Sequence, residues 1–398
     1  MSVVADMNLR FFRPLLSTAA ILLASCGHAA TGEKTGAATP GDAPFSVERI
    51  AGFDEPWAMD FDRGTGIAFI TERKGHLRYR TPEGQIGTVG GVPKVDYGGQ
   101  GGLGDFIFAP GQTSSKLDKR VVYLSWAEAG THDTRGAAVG RANLVCTAQM
   151  NCKVEDLKVI WRQVPKVTGR GHYSHRLAFS PDGRYLFVSS GERQKFTPAQ
   201  DLRTNLGKII RLLPDGAPAP GNPFADKPSP TNQIWTYGHR NVLGLAFDPL
   251  GRLWGLEHGP KGGDELNLIK PGRNYGWPLV SNGDNYDGRP IPRHSTRPDL
   301  AAPAISWNPV IAPGNFIFYT GNKFPAWKGQ ALIASFAVPG IVRVRIEGEK
   351  ASEEARYSLD NRIRQIVQGP DDAIWLLEDG PAPESGHLLR LTPAPAAN

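Results

Sequence analysis

The 398-residue sequence lacks a cluster of basic residues, and it lacks any long stretch with the apolar periodicity of a helix. The excess of six basic residues is mild and spread along the chain. No aromatic patch is interleaved with basic side chains, as a nucleic-acid surface would require. We therefore expect no nucleic-acid partner.

A long apolar run is also missing. The apolar stretch 14–24 follows Arg10 and Arg13, and it is too short to span a membrane as a helix. It leads into Leu-Ala-Ser-Cys ending at Cys26, which is typical of the cleavage site of a bacterial lipoprotein signal.

The N-terminal pattern predicts three segments. We expect a lipoprotein signal peptide over 1–25, a flexible polar tether over 26–44 that begins with a lipidated Cys26, and a folded domain over 45–393. A start at Met7 would leave the signal complete. The expected location is the periplasmic face of a membrane, with the protein held by its lipid anchor.

Cysteine is scarce, since only Cys146 and Cys152 remain beyond Cys26. Two closely spaced cysteines in an exported chain indicate a disulfide that closes a small loop. Two free buried thiols are the alternative, and metal binding by this pair is not expected.

Glycine and proline are abundant: 47 and 33 residues, about one in five. They separate six segments in which an alternating apolar strand, a turn and a second apolar strand follow one another. These segments begin at Trp57, Leu103, Arg176, Leu243, Gly314 and Ile363. The repeat predicts an all-β fold, a six-bladed β-propeller with four-stranded antiparallel blades. Two packed β-domains are the alternative.

The ends of the chain offer a way to close the ring. A strand over residues 45–50 would complete the last blade beside residues 387–391, so that no sheet edge stays exposed.

The stretch 239–278 contains one of the repeats and a glycine-rich acidic loop. Leu245 and Leu253 belong to the two strands of a predicted hairpin. The loop 257–265 combines carboxylates with glycines that let backbone carbonyls turn inward, which are ligands for a hard cation. A solvated acidic loop is the alternative.

Polar groups recur at the start of the repeated strands. They are Gln100, His172, Arg240 with Asn241, and Arg362 with Arg364. A propeller gathers such positions around its axis. They would combine a neutral base, hydrogen-bond donors and guanidinium groups, which suits an anionic, oxygen-rich cofactor. Taken singly, each has a better alternative explanation: a histidine near a turn is usually a surface or hydrogen-bonded residue, and an Arg-x-Arg strand is usually a solvated face.

Several motifs together resemble one family, the soluble pyrroloquinoline quinone (PQQ) dependent aldose sugar dehydrogenases, also called glucose/sorbosone dehydrogenases. The motifs are Pro56–Trp57, Thr71–Leu77, Gly99–Leu103, Gly207–Leu212, Glu257–Asn267, Asn274–Pro278 and Arg362–Arg364. The resemblance implies a propeller that oxidises aldoses at C1 to the lactone with PQQ and Ca²⁺, and passes electrons to an acceptor that the sequence does not identify.

The resemblance also implies roles for individual residues. His172 is the implied catalytic proton acceptor. The implied cofactor contacts are Gln100, Arg240, Asn241, Tyr286, Arg362 and Arg364, and the implied calcium positions are Gly259, Pro260, Glu265 and Tyr275. The cation would act as a Lewis acid on the quinone.

Three positions depart from the family pattern. Ala337 stands where a lysine is usual, His175 where a glycine is common, and Gly104 where a larger apolar residue is usual. Two other functions therefore stay open: a calcium-dependent lactone or ester hydrolase, and a lipid-anchored propeller that binds carbohydrate or protein without catalysis.

Overall fold

The computed structural model describes residues 43–380 and 384–395, which form 24 β-strands. The predicted signal peptide, the lipidation site Cys26 and the tether up to residue 42 lie outside the described residues. Within the described ranges, no helix is long and apolar enough to cross a membrane.

The strands form six four-stranded antiparallel sheets in chain order, which confirms the predicted propeller. The first strand, β1 (Phe45–Phe53), belongs to the last blade. Blade 1 consists of β2 (Pro56–Phe61), β3 (Ala68–Glu72), β4 (His76–Arg80) and β5 (Ile86–Val89). Blade 2 consists of β6 (Leu103–Phe108), β7 (Lys119–Ala129), β8 (Arg135–Cys146) and β9 (Cys152–Arg162). Blade 3 consists of β10 (Ser174–Phe179), β11 (Leu186–Ser190), β12 (Lys208–Leu212) and β13 (Ile234–Tyr237).

The second half of the ring repeats this arrangement. Blade 4 consists of β14 (Val242–Phe247), β15 (Leu253–Glu257), β16 (Asp264–Leu268) and β17 (Ile305–Trp307). Blade 5 consists of β18 (Pro313–Phe318), β19 (Ala331–Ser335), β20 (Gly340–Glu347) and β21 (Lys350–Ser358). Blade 6 consists of β22 (Ile363–Gln368), β23 (Ile374–Glu378), β24 (Gly386–Pro393) and β1. Short 3-10 helices lie in the connections at Thr197–Gln200, Thr231–Gln233, His294–Thr296 and Pro325–Trp327.

The two ends of the chain close the ring as predicted. Strand β1 pairs antiparallel with β24, with Phe45 opposite Pro393 and Phe53 opposite Gly386. The outermost strand of blade 6 thus comes from the N-terminal side of the domain, and the closing hydrogen bonds join the two ends.

The hydrophobic core lies between neighbouring blades, because successive side chains of a strand point to opposite faces of its sheet. On β19, for example, Ile333 packs toward blade 4, whereas Leu332 packs toward blade 6. Each of the six junctions of the ring has its own cluster of buried apolar residues. The blades therefore hold one another in place around the axis.

The innermost strand of every blade is irregular near its first residues. The register with the second strand shifts at Pro56/Ala58, Leu103/Phe106, Ser174/Leu177, Val242/Gly244, Pro313/Asn315 and Ile363/Gln365. A bulge redirects the side chains beside it. All six bulges lie at the same end of the blades, the end to which the predicted site residues belong.

Hydroxyl groups satisfy the backbone at three of these bulges. Ser125 Oγ accepts the Asp105 N–H (2.8 Å) and donates to the carbonyl of His175 in the next blade (2.8 Å). Equivalent pairs of bonds are made by Thr71 to Ala58 and Gly104, and by Ser189 to Arg176 and Val242. The irregular ends of the inner strands are thereby fixed rather than loose.

The two cysteines of the domain lie at the end of the β8–β9 hairpin. Cys146 is the register partner of Cys152, and their sulfur atoms are bonded. The pair lies in the outer half of blade 2, away from the axis.

Candidate active site

A cavity of about 410 Å³ opens at the bulged end of the inner strands. Its lining consists of Trp57, Arg73, Gly99, Gln100, Tyr173, Ser174, His175, Asn241, Leu243, His258, Ala312, Phe336, Ala337, Arg362 and Arg364. Gln100, Asn241, Arg362 and Arg364 were predicted from sequence to meet here, and the fold brings all four together.

The sequence reasoning missed residues that follow the second strand of a blade. In an antiparallel hairpin, the start of the first strand and the end of the second lie at the same end. Arg73, His258, Phe336 and Asp379 each come directly after such a second strand, and Glu192 comes two residues after one. The end of the second strand in each repeat was therefore the sequence signal that would have identified these residues.

The two predicted amides are oriented by their carbonyl oxygens. Gln100 Oε1 accepts the backbone N–H of His172 (2.7 Å), and Asn241 Oδ1 accepts the Ser174 hydroxyl (3.0 Å). With the oxygens engaged, the NH₂ groups remain as donors for a molecule in the cavity. Both amides thus offer hydrogen atoms rather than lone pairs.

Arg362 and Arg364 share one carboxylate. Asp379 lies 3.0 Å from Nη2 of Arg362 and 2.6 Å from Nη2 of Arg364. Both guanidinium groups also lie over the ring of Phe336, at 4.6 Å and 4.4 Å from its centroid. Burial opposes ionisation of Asp379, but the two arginines hold its pKa below the usual range. One acid thus fixes the geometry of two cations and leaves a net positive charge.

Arg73 adds a third guanidinium to the cavity. It pairs with Glu55 at 3.1 Å and donates to the carbonyls of Gly99 and Gly101. Ala337 also lines the cavity, so the position where a lysine was expected brings only a methyl group to it. The positive charge of the lining comes from arginines alone.

His172 lies at the margin of this cavity, behind Gln100. Its Nδ1 is 2.5 Å from Oε1 of Glu192, and Oε2 of Glu192 accepts the Phe196 N–H (2.6 Å). Burial lowers the pKa of His172, against the opposing effect of Glu192 and with a further lowering by Arg240. The imidazole is therefore neutral near pH 7, and its Nε2 has no hydrogen-bond partner among the described residues.

The backbone around His172 is strained. His172, Ser174 and His175 have φ values of +47°, +58° and +51°, in the left-handed region that residues with a side chain rarely adopt. Such conformations persist where surrounding bonds enforce them and cluster at functional sites. The Gln100 and Ser125 hydrogen bonds described above are two of those constraints.

Arg240 lies next to the cavity rather than in its lining. Its guanidinium donates to the carbonyl of His258 (3.3 Å) and to the hydroxyl of Tyr286 (3.2 Å). Its Nε is buried and has no partner in the described structure. Tyr286, a predicted cofactor contact, is 73% exposed and also lies outside the lining of the cavity, so its role stays a prediction.

The four predicted calcium positions line a second, small space that shares His258 with the first. Gly259, Pro260, Glu265 and Tyr275 all line it, and its volume of about 10 Å³ accommodates one water-sized species. The phenol of Tyr275 donates to the Leu268 carbonyl (2.5 Å). If Tyr275 is a ligand, the contact would therefore come from its backbone carbonyl.

The acidic residues of loop 257–265 divide into two roles. Asp264 accepts the N–H groups of Gly259 (2.8 Å) and Ala312 (2.6 Å), and Glu257 accepts the N–H of Arg240 (2.8 Å). These two carboxylates hold the loop in place. Glu265 is hydrogen-bonded to the imidazole of His294 at 3.0 Å. Both Glu257 and Glu265 border the small space.

The sequence matches the family model for glucose/sorbosone dehydrogenase over residues 53–390. It is 36% identical to the aldose sugar dehydrogenase YliI of Escherichia coli over 348 residues, which is 85% of this chain and 90% of the relative. A crystal structure of a glucose dehydrogenase superposes with a TM-score of 0.81 at 36% identity, over 88% of this chain and 100% of that one. The PQQ-bound aldose sugar dehydrogenase of Streptomyces coelicolor superposes with a TM-score of 0.70 at 26% identity, over 88% and 99%.

Proposed function

The chain belongs to the glucose/sorbosone dehydrogenase family, whose members are sugar dehydrogenases, and we propose that it oxidises an aldose at C1 to the lactone with PQQ and Ca²⁺. The observation that carries the proposal is the convergence of Gln100, Asn241, Arg362 and Arg364 on one cavity. The PQQ-bound structure of the similar Streptomyces enzyme supports the choice of cofactor.

The residues of the cavity fit this cofactor by their chemistry. PQQ is an anion with carboxylate and quinone oxygens. The cavity offers it the guanidinium groups of Arg73, Arg362 and Arg364, together with the amide donors of Gln100 and Asn241. Guanidinium groups bind carboxylates in a bidentate geometry. The unpartnered Nε of Arg240, immediately outside the lining, is a further donor that a bound molecule would satisfy.

The neighbouring space fits calcium. The described residues contain no group of three or more His, Cys, Asp or Glu side chains that could hold a metal. The oxygen donors are instead the Glu265 carboxylate and backbone carbonyls, such as those of Gly259 and Pro260. Calcium accepts mixed carboxylate and carbonyl ligands. A cation there would also stabilise the ionised form of Glu265, whose pKa is raised by burial.

The reaction removes a hydride from C1 of the sugar and a proton from the hydroxyl on that carbon. When bound, PQQ supplies the hydride acceptor. Nε2 of His172 accepts the hydroxyl proton, because Nδ1 is held by Glu192. The carboxylate then stabilises the imidazolium that forms and keeps the ring in one orientation.

Location and electron transfer belong to the proposal as well. The N-terminal sequence supports lipidation of Cys26 and attachment to a membrane on its periplasmic side. A separate electron acceptor would reoxidise the cofactor. A lactone hydrolase would leave the three cavity arginines without a clear purpose, and no contact in the site favours it.

The test is a titration of the purified protein with PQQ and calcium, followed by dye reduction with a panel of aldoses. We expect saturable, calcium-dependent binding and sugar-driven dye reduction. Arg203→Ala is a control, since that arginine is 88% exposed and pairs only with Asp201. Failure to bind PQQ at high concentration would refute the proposal and would favour the non-catalytic binding propeller.

A further inference from the structure

His175 is one of the residues that line the candidate cofactor cavity. Its side chain is 2% exposed and lies parallel to Trp57, with ring centroids 5.1 Å apart and planes at 7°. The other neighbour of Trp57 is Arg176, whose guanidinium carbon is 3.8 Å from the ring centroid. Trp57 and His175 thus form a stacked pair, and because both residues line the cavity we call this pair its floor.

Arg176 closes the central channel beneath this floor. Its guanidinium donates to the carbonyls of Leu243 (2.9 Å) and Gly314 (3.2 Å) and lies 3.4 Å from Asp105. Arg176 belongs to blade 3, and through these bonds it connects blades 2, 3, 4 and 5. A movement of the stacked pair together with Arg176 would break these bonds.

The room for His175 depends on Gly104. A Cβ atom at position 104 would lie 1.9 Å from Cε1 and 2.2 Å from Nδ1 of His175. The imidazole of His175 therefore occupies the volume that a side chain at position 104 would fill.

The hydrogen bonds of Ser125 define the tautomer of this imidazole. Ser125 Oγ donates its single hydrogen to the His175 carbonyl, so it accepts from His175 Nδ1 (2.8 Å each). Nδ1 therefore carries the ring proton and Nε2 carries a lone pair. Burial lowers the pKa of His175 to about 3, so the ring is neutral. Among the described residues, Nε2 has no hydrogen-bond partner.

We propose that His175 is a cofactor-contacting residue of this chain, whose Nε2 accepts a hydrogen bond from the pyrrole N–H of PQQ. The inference rests on the proposed function. The arginines and amides of the cavity are donors and match the oxygens of the cofactor, whereas the pyrrole N–H needs an acceptor. His258 is the other imidazole of the lining. Its Nε2–H donates to the Pro313 carbonyl (2.7 Å), which leaves Nδ1 as a competing acceptor, but His258 also borders the cation space.

The first test compares PQQ affinity in the wild type and in His175→Phe, in the presence of calcium. Phenylalanine keeps a ring on Trp57 but has no acceptor, so binding should weaken about tenfold, as expected for one lost hydrogen bond. In the wild type, the ¹⁵N resonance of His175 Nε2 should move upfield when PQQ is added. Equal affinity of the two proteins, or an unmoved resonance, would overturn the inference, as would a loss of affinity confined to His258→Phe.

The second test changes position 104, with and without the imidazole at position 175. Gly104→Ala should displace the imidazole and weaken PQQ binding, and the same change in a His175→Gly background should have no further effect. Gly90→Ala is the control, because its new Cβ would meet nothing closer than 3.4 Å. If the losses of PQQ affinity caused by the changes at positions 104 and 175 are additive, the inference is overturned. Absence of PQQ binding to the wild type would overturn the proposed function and this inference together, whereas wild-type binding that is insensitive to both sites would overturn only the inference.

Discussion

The Nδ1 atom of His172 lies 2.5 Å from Oε1 of Glu192, and the other carboxylate oxygen of Glu192 accepts the Phe196 N–H. The acid is thus anchored to the backbone and cannot follow the imidazole if the ring turns. The pKa of Glu192 is lowered despite burial, mainly by the hydrogen bond from His172. The pair therefore combines a neutral base with an ionised partner, and each half can be tested separately.

Replacing His172 by alanine removes the base. Sugar-driven dye reduction should fall by about 10²- to 10⁴-fold, the usual contribution of general base catalysis. The PQQ affinity should change little, because the ring lies outside the cavity lining. Single-turnover reduction of the bound cofactor by sugar, measured beside a PQQ titration, separates these effects. Turnover equal to the wild type would remove His172 from the mechanism.

Replacing Glu192 by glutamine keeps the size of the partner and removes its charge. Since Glu192 raises the pKa of His172, its loss should move the acidic limb of the kcat/KM profile to lower pH. The rate on the plateau should fall by on the order of 10²-fold, because the imidazolium loses its stabilising charge. Glu347→Gln serves as the control, since Glu347 is 73% exposed and does not line the cavity. An unshifted profile would show that Glu192 only packs against the ring.

Removing Arg362 and Arg364 together should abolish most of the affinity for PQQ. Hydrogen bonds to charged groups contribute about 1.5–3 kcal/mol each, so the double alanine variant should bind at least 10²-fold more weakly. Thermal stability should fall as well, because Asp379, whose side chain is only 21% exposed, loses both cationic partners. Isothermal titration measures the affinity, with Arg297→Ala as a matched exposed arginine. Affinity within twofold of the wild type would place the cofactor elsewhere.

The sequence predicted the ring of blades because its signals are local. Alternating apolar residues and Pro-Asp-Gly turns act within one hairpin, and each of the six predicted inner strands is present. Gln100 and Asn241 were found for the same reason, since Asn241 stands directly before an inner strand and Gln100 three residues before one. For these two residues, the position along the chain was sufficient to predict that they lie in the site.

The partners of the site residues required the three-dimensional structure. Asp379 and Glu192 follow second strands, whose ends return to the site only once the hairpin forms. The relation between Gly104 and His175 joins two blades and depends on a volume that neither residue reveals alone. The bond that holds the phenol of Tyr275 to the Leu268 carbonyl is likewise not evident from the sequence.

Calcium should stabilise the wild type and should fail to stabilise Glu265→Gln. A ligand that binds only the folded state raises stability by mass action, and for a domain of this size saturating calcium should raise Tm by about 2–5 °C. Removal of calcium with EDTA should also weaken PQQ binding. Glu349→Gln is the control, since Glu349 is 64% exposed and pairs with Lys270. A calcium-induced shift that persists in Glu265→Gln would place the cation elsewhere.

A separate prediction concerns stability and uses Asp60, on the inner strand of blade 1. Asp60 lines a further cavity of about 530 Å³, distinct from the cofactor cavity and the calcium space, and Arg176 also lines it. Burial raises its pKa from 3.8 to about 6, although the N–H groups of Phe108 and Phe61 donate to its carboxylate. The folded protein thus holds a proton on Asp60 at pH values where the unfolded chain has released it.

The sign of the effect follows from this difference. The stabilising contribution of protonated Asp60 is fully present below about pH 4 and is lost as the pH rises through about 6. Because Asp60 borders the cavity and is only partly buried, we expect a decrease of about 1 kcal/mol in the free energy of unfolding over this window. Asp60→Asn should flatten that part of the curve. Urea unfolding at several pH values measures it, with the exposed Asp226→Asn as the control. If the slope between pH 4 and 6 is the same in all three proteins, Asp60 is ionised throughout, and the two backbone N–H groups outweigh its burial.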